Sequence, residues 1–594
     1  MQYFKPKWVF MKIFRTLQRF FHRRETLEGS QKNCFSFWNR AFHWVIIWFA
    51  GALAAAAFPP LNFTAAIFFA LAILFLEARN RSAMQAALAG WVWGTGYALC
   101  SFFWLREIHP SIPWMLMFVL GAYYIPVGWC AAIANRYILL PAQVRKAGFT
   151  AQITCRDFPL WRQFVWSLVM ASAVVLVEYL RSNVLPWNYL GTAFYRNAVM
   201  MQLVRYTGIF GLSFLAALFN AAIALALLTV AQRDAEHSRI RYRRPWPLLS
   251  VMVLLALLMA MGVTSLRNRR REYNGFSHKV RLTIVQGNLP ALRNVGEKRA
   301  YQALNTYTEL TRTQKGVVAD LVIWPETAVP YPLRGNAAIC ALYRAQVRSL
   351  ALEMNSPMLL GTLEFDMSQN PPGSLNSAVL TDARDVLREG YKGIYSKVHP
   401  VPFGEFVPMR KYLPQWVIDL IDMQRDLTPG KSLDPIKLND NVRIGVSICF
   451  EDVFAYIARA EFMRNANLLL VIADDSWYPA SSEPEQHLAN SMARAIETNL
   501  PMVRCGNDSA SCLITPGGEI IWSMAEHLKF GDGKPFRRGG GAATITVNVP
   551  SPEQCRMTFY SRYGNWFVYV CAVIFCAAML WALLQRVEFF RSEE

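Results

Sequence analysis

The sequence has none of the short signatures that mark metal, redox or nucleotide chemistry. There is no HExxH pair to hold a zinc on one helix face, no paired CxxC, and no glycine-rich loop to cradle a phosphate. The run Gly539, Gly540, Gly541 follows two arginines and reads as a turn. No compact apolar segment with a small-residue cleavage site follows the first basic residues, which argues against a cleaved signal peptide. Acidic residues are scarce, 41 Asp and Glu against 61 Lys and Arg, for a net charge of +20. Charges are also few inside the long apolar stretches, apart from Glu178 near the end of one. That weighs against a transporter, whose spans carry ionisable groups along the substrate path.

What is present is an unusual amount of apolar sequence: 54% of the residues are hydrophobic. Stretches of bilayer-spanning character, for which about 17 to 25 residues are needed as helix, are read at 41–58, 63–76, 84–105, 112–134, 165–180, 207–231, 246–266 and 566–584. The second and fifth are short. So many in succession exclude the reading of each as a buried helix of a soluble protein.

The basic residues orient them, because Lys and Arg in short loops stay on the cytoplasmic side. Lys5, Lys7, Lys12, Arg15, Arg19, Arg23, Arg24, Lys32 and Arg40 precede the first stretch. Arg79 and Arg81, then Arg136, Arg145, Lys146, Arg156 and Arg162, then Arg233 to Arg244 fall in alternate loops. Arg267, Arg269, Arg270 and Arg271 run against the rule, which long translocated domains obey less strictly. The expected layout is a cytoplasmic basic arm at 1–40, seven spans over 41–266, an extracytoplasmic domain at 278–549, an eighth span at 566–585 and a cytoplasmic tail at 586–594. Charge gathered at membrane faces also explains the +20 without nucleic acid. The aromatic-rich arm 3–24 reads either as an interfacial helix or as a disordered segment.

The domain at 278–549 is about 270 residues, enough to bury its own core. Strand-like runs at 280–285, 321–324, 358–361, 377–380, 443–448 and 468–472 alternate with helical ones at 297–315, 336–354 and 484–499. Layered α/β packing follows, with sheets buried on both faces. Three of the strand-like runs end in reactive residues. LVIWPETAVP (321–330) supplies Glu326, YSKVHPVPFGEFVP (395–408) supplies Lys397, and VRIGVSICFEDVF (442–454) supplies Cys449. A thiol nucleophile needs a base for its proton and a positive charge or aligned donors for the tetrahedral adduct; this trio offers both.

The order of the trio and its flanks resemble the nitrilase superfamily. Other matching pieces are VQGNLP (285–290), PFGEFVP (402–408), DDSWYP (474–479) and EQHLANSMARAIETNLP (485–501), with VEYLRSNVLPWNYLG (177–191) and QLVRYTGIFGLSFL (202–215) in the apolar part. Together with the membrane frame they resemble the apolipoprotein N-acyltransferase family. Phe450 stands where that family usually has Tyr after the nucleophile.

The resemblance implies a multi-pass α-helical membrane domain joined to an α-β-β-α sandwich, in a bacterial inner membrane with the catalytic domain on the periplasmic side. It implies ping-pong transfer of a fatty acyl chain from a phospholipid to the α-amino group of a diacylglyceryl-modified N-terminal cysteine on a lipoprotein. Glu326 would be the base, Lys397 the oxyanion partner and Cys449 the nucleophile, with no metal or soluble cofactor and no nucleic acid partner. Glu405 and Glu451 are expected to support Lys397, and a backbone N–H near Phe450 to assist the oxyanion. Trp477 and Tyr478 belong either to a lipid-facing lid or to the core.

A membrane-tethered amidase using the same trio, passing the acyl group to water, is the alternative. His399 and His487 invite a Cys-His hydrolase reading but lack a supporting motif. A Cys505 to Cys512 bridge is conceivable in an oxidising compartment.

Overall fold

The computed structural model describes residues 32–140, 159–229, 231–233, 240–242, 244–291, 296–367, 372–388, 390–415, 418, 426–478, 481–528 and 539–591. The arm 3–24 and the loop cations Arg145, Lys146, Arg156, Arg239 and Arg243 lie outside the described residues. The chain forms two compact units, one of 1–193, 210–260 and 566–594, the other of 194–209 and 261–565.

The first unit is helical apart from a short antiparallel ladder of Ala231–Arg233 with Ile240–Tyr242, and a helix stands at every apolar stretch read from the sequence. Among the described residues, five helices are long and apolar enough to cross a membrane: Ile112–Leu139, Leu160–Arg181, Ile209–Leu228, Trp246–Asn274 and Trp566–Val587. Ala41–Ala55 and Thr64–Glu77 are apolar but shorter. Small residues set the helix packing. A Cβ on Gly51 would lie 1.9 Å from the Trp93 carbonyl oxygen, and one on Gly128 would lie 2.0 Å from that of Ala86. Backbones approach this closely only where side chains are absent, the usual means of association between helices that gain nothing from burying apolar surface in lipid.

Several buried polar groups in this unit find internal partners, as a hydrocarbon environment favours, although Glu178 Oε2 and the Trp166 indole N–H have none among the described residues. Asn220 Oδ1 accepts from the N–H groups of Leu71 and Ala72, both at 2.9 Å, and its Nδ2 donates to the Ile67 carbonyl at 2.7 Å. It thereby closes the break between Thr64–Phe68 and Ala70–Glu77. Glu178, the intramembrane acid seen in the sequence, accepts the Leu190 N–H at 2.7 Å, and Arg181 donates to the Asn188 carbonyl at 3.1 Å.

The second unit is built on twelve strands: β1 His278–Gln286, β2 Leu321–Val329, β3 Met358–Asp366, β4 Gly373–Thr381, β5 Gly393–Ser396, β6 Ile436–Lys437, β7 Arg443–Ile448, β8 Leu468–Ala473, β9 Met502–Gly506, β10 Cys512–Ile514, β11 Ile520–Ser523 and β12 Gly541–Val549. They make two six-stranded sheets in the orders β12-β1-β2-β3-β4-β5 and β11-β10-β9-β8-β7-β6. β1, β2 and β3 run parallel, as do β7, β8 and β9, and the outer strands pair antiparallel.

Strand alternation assigns the layers. Leu468, Leu470 and Ile472 join Leu282, Ile284 and Ile323 in the core between the sheets. Leu469, Val471 and Ala473 face the other way, onto Phe462, Leu488 and Met492 of Ala455–Met463 and Glu483–Thr498. On the far side Val322, Trp324 and Leu360 pack on Leu304, Tyr307 and Tyr343 of Glu297–Arg312 and Ala338–Glu353. The result is the helix-sheet-sheet-helix sandwich.

Cys505 and Cys512 are both free thiols. Cys505 belongs to the core between the sheets and Cys512 to the outer layer, so they project from opposite faces of one sheet.

Candidate active site

Glu326 sits at an irregularity within a strand, whereas Lys397 and Cys449 each follow the last residue of one. Glu326 lies in β2 after Pro325, where the pairing with β3 shifts register between Trp324 and Val329 and Thr327 adopts a φ of 50°. Lys397 follows β5. Cys449 follows β7 directly and itself takes a φ of 53°, a left-handed conformation that costs a non-glycine residue about 1 kcal/mol or more. A sharp turn of this kind ends the strand and starts the short helix Cys449–Val453.

The structure brings the three together. Lys397 Nζ lies 2.8 Å from Glu405 Oε1 and 3.4 Å from Glu326 Oε1, and the Cys449 thiol lies within the fields of both Glu326 and Lys397. Lys397 and Glu326 are only 2% and 6% exposed, so these charges interact with little solvent screening. Glu405 Oε2 in turn accepts the Val401 N–H at 2.7 Å. The expected support of Lys397 by Glu405 is thus a direct ion pair.

Glu451 works differently. It accepts the N–H groups of Ile448 (2.8 Å), Val398 (2.7 Å) and His399 (3.1 Å) and the Tyr395 hydroxyl (2.9 Å). It touches the backbone on both sides of the site rather than the lysine ammonium, fastening the segment that carries Lys397 to the turn that carries Cys449. Burial pushes its carboxyl up to about 7 against these donors.

Two partners of Glu326 escape sequence reading. Asn376, in β4, donates Nδ2 to Glu326 Oε1 at 2.7 Å and to Glu405 Oε1 at 3.1 Å. The Asp474 N–H donates to Glu326 Oε2 at 2.9 Å. Asn376 stands among serines in the first half of β4, where nothing local marks it, and a backbone N–H leaves no signal at all.

Burial raises the Glu326 carboxyl, Lys397 opposes that rise and Glu405 adds to it. For Lys397, burial would lower the ammonium, yet Glu405 and Glu326 outweigh it and hold it well above the usual lysine range. Burial and the Glu326 charge push the Cys449 thiol well up. The resting arrangement is therefore a protonated thiol beside a carboxylate of raised basicity and a fixed ammonium. That combination suits a base-assisted nucleophile with a cationic partner for an oxyanion.

Phe450 packs edge-on against Phe454 at 5.4 Å, which in turn lies 3.7 Å from the His399 ring. Trp477 is 39% exposed and so is not core, whereas the Tyr478 hydroxyl is buried within the fields of Glu483 and Cys449, which raise it further. Beneath Cys449, Asp475, Glu483 and His487 place one ligand atom each within 4.8 Å of one another. The Arg504 guanidinium, 3.4 Å from His487 Nδ1, fills that space with positive charge and opposes a metal ion there.

Two family descriptions match the sequence: the apolipoprotein N-acyltransferase N-terminal domain over residues 50–222 and carbon-nitrogen hydrolase over residues 281–527. A Geobacter metallireducens protein named apolipoprotein N-acyltransferase is 28% identical over 539 residues, covering 88% of this chain and 92% of the relative. One of the same name from Rhodopseudomonas palustris is 27% identical over 570 residues, covering 92% and 96%. Among solved structures, a carbon-nitrogen hydrolase superfamily protein from Xanthomonas campestris aligns with 46% of this chain and 91% of its own, at 16% identity and a TM-score of 0.33.

Proposed function

The chain belongs to the apolipoprotein N-acyltransferase family, acyltransferases of lipoprotein N-acylation within the carbon-nitrogen hydrolase superfamily, and we propose that it works through an acyl-Cys449 thioester drawn from a membrane phospholipid. The observation that carries this reading is the convergence of Glu326, Lys397 and Cys449, with the ammonium 3.4 Å from the carboxylate and the thiol within the fields of both.

In the first half-reaction Glu326 takes the Cys449 proton as sulfur attacks a fatty ester carbonyl. The C–S bond forms, and Lys397 balances the charge on the former carbonyl oxygen. Collapse of the adduct breaks the C–O bond, and the glycerol oxygen leaves with the proton held by Glu326, as a lysophospholipid. In the second half-reaction the free amine of a diacylglyceryl-cysteine N-terminus attacks the thioester. Glu326 takes an amine proton, the C–N bond forms, and sulfur leaves to be reprotonated as the thiol. Glu405 and Asn376 keep Lys397 and Glu326 in register for both halves, because Glu405 Oε1 accepts from both Lys397 Nζ and Asn376 Nδ2, and the same amide donates to Glu326.

We place the second unit on the periplasmic side of a bacterial inner membrane, following the distribution of basic residues. Membrane-held donor and acceptor would then meet beside a site anchored at the bilayer.

The test is reconstitution into phospholipid vesicles with a synthetic diacylglyceryl lipopeptide. N-acylated peptide should appear together with lysophospholipid in equal amount, and Cys449→Ala should make neither. Free fatty acid in place of acylated peptide would make the protein a hydrolase and sink this reading.

A further inference from the structure

Cys449 must be held in a left-handed conformation, and its turn is gripped on both sides. Before it, the Ile448 N–H is held by Glu451. After it, the Cys449 carbonyl oxygen accepts from His487 Nε2 at 3.1 Å. His487 lies on the helix Glu483–Thr498 and is buried.

The His487 ring is surrounded by acids. Nδ1 lies 3.1 Å from Asp475 Oδ1 and 3.7 Å from Glu483 Oε1; Nε2 lies 2.8 Å from Asp452 Oδ1. Ser491 and Arg504 bind Asp452, and Ser509 binds Asp475. The titratable groups facing the ring are thus Asp452 from the turn after Cys449, Asp475 from the turn after β8, Glu483 from its own helix and Arg504 from β9. Two carboxylates, one at each ring nitrogen, call for two N–H donors. Asp452 leads in raising the imidazole, up to about 10, against burial. Two cations and two carboxylates then balance, while burial and Asp475 hold Glu483 protonated.

We infer that His487 is a positioning residue for acyl transfer: a doubly protonated imidazole, fixed by Asp452 and Asp475, clamps the Cys449 carbonyl and so holds the nucleophile's turn. This rests on Cys449 being the nucleophile. It also assigns His487 a role unlike that of a Cys-His base, since its Nε2 meets the carbonyl oxygen of Cys449 and its Nδ1 meets Asp475.

The test compares His487→Gln, His487→Asn and His487→Ala in the full-length protein in detergent. A glutamine amide nitrogen reaches the place of Nε2, facing the Cys449 carbonyl; an asparagine amide reaches only that of Nδ1, facing Asp475. Two readouts are taken, the second-order rate of Cys449 alkylation by iodoacetamide and kcat and KM for the lipopeptide. His487→Gln should keep both rates within about 10-fold of wild type, whereas His487→Asn and His487→Ala should lose about 100-fold in kcat at unchanged KM, the scale of a misplaced nucleophile. If His487→Ala does not fold, the Gln and Asn pair carries the comparison.

Equal rates for Gln and Asn overturn the inference, as does a fall in thermal stability with no change in alkylation. A limb of the wild-type alkylation pH profile that vanishes in His487→Gln would make His487 a base and overturn it too. Full turnover by Cys449→Ala is a separate result, which removes the nucleophile reading itself whatever His487 does.

Discussion

Gly361, in β3, passes directly beneath the backbone of Glu326. A methyl group built there would lie 2.1 Å from the Pro325 carbonyl oxygen and 2.6 Å from Glu326 Cα. Both are backbone atoms, so no side-chain rotation relieves the clash. Ordinary contact begins near 3.4 Å, and Gly361→Ala must therefore push the Pro325-Glu326 segment away by roughly 1 Å, a misplacement that can cost an enzyme about 100-fold. Overpacking at a buried strand adds about 1 to 3 kcal/mol of destabilisation. The Glu326 carboxylate would also shift off Asn376, Lys397 and the Cys449 thiol together.

The assay is formation of the acyl adduct on Cys449 at a temperature well below the variant's unfolding midpoint, so that geometry rather than unfolding is read. The expected result is a drop of about 100-fold in adduct formation with the protein still folded. A Gly361→Ala protein that forms adduct within about threefold of wild type would refute the reasoning, because it would mean that the position of Glu326 does not limit activation of the thiol.

Replacing Glu405 by Gln removes the carboxylate 2.8 Å from Lys397. Because Glu405 holds the ammonium pKa up, its loss lowers it, and activity should fail at a lower pH on the alkaline side; an unmoved alkaline limb in the pH-rate profile contradicts this. Replacing Asn220 by Ala leaves the Leu71 and Ala72 N–H groups and the Ile67 carbonyl without their partner, for a loss of about 2 to 4 kcal/mol. Thermal unfolding in detergent should show it, and Asn220→Asp, which keeps the acceptor, should lose less. Since Cys505 and Cys512 are free, alkylation of the denatured, unreduced protein should label both; a mass two hydrogens short with both unlabelled would show a bridge.

The central strands were legible because their chemistry is local. β8 is an almost unbroken run of leucine and β-branched residues, β7 alternates Ile444, Val446 and Ile448 with smaller residues, and the helices at Glu297–Arg312 and Glu483–Thr498 carry clear apolar faces. β9 was not, because Arg504 interrupts its apolar run; the arginine is buried with Asp452, 52 residues away, and Asp475 and Ser491 as partners. β12 begins on the last of three consecutive glycines and reads as turn continuation until its full pairing with β1 is seen. The trio could be found because each member lies in or just after a recognisable strand. Asn376, the Asp474 N–H and the grip of Glu451 on Val398 and His399 arise from pairings across 50 or more positions, and no local pattern records them. His487 was visible as a residue but not as a cation, since its state is set by Asp452 and Asp475 from other segments.

Purified protein incubated with phospholipid alone, then weighed intact, tests the account most directly. A fatty acyl mass on the wild-type protein, absent from Cys449→Ala and discharged by a diacylated lipopeptide far faster than by water, is the predicted result. No adduct with any phospholipid, or one retained in Cys449→Ala, would contradict it.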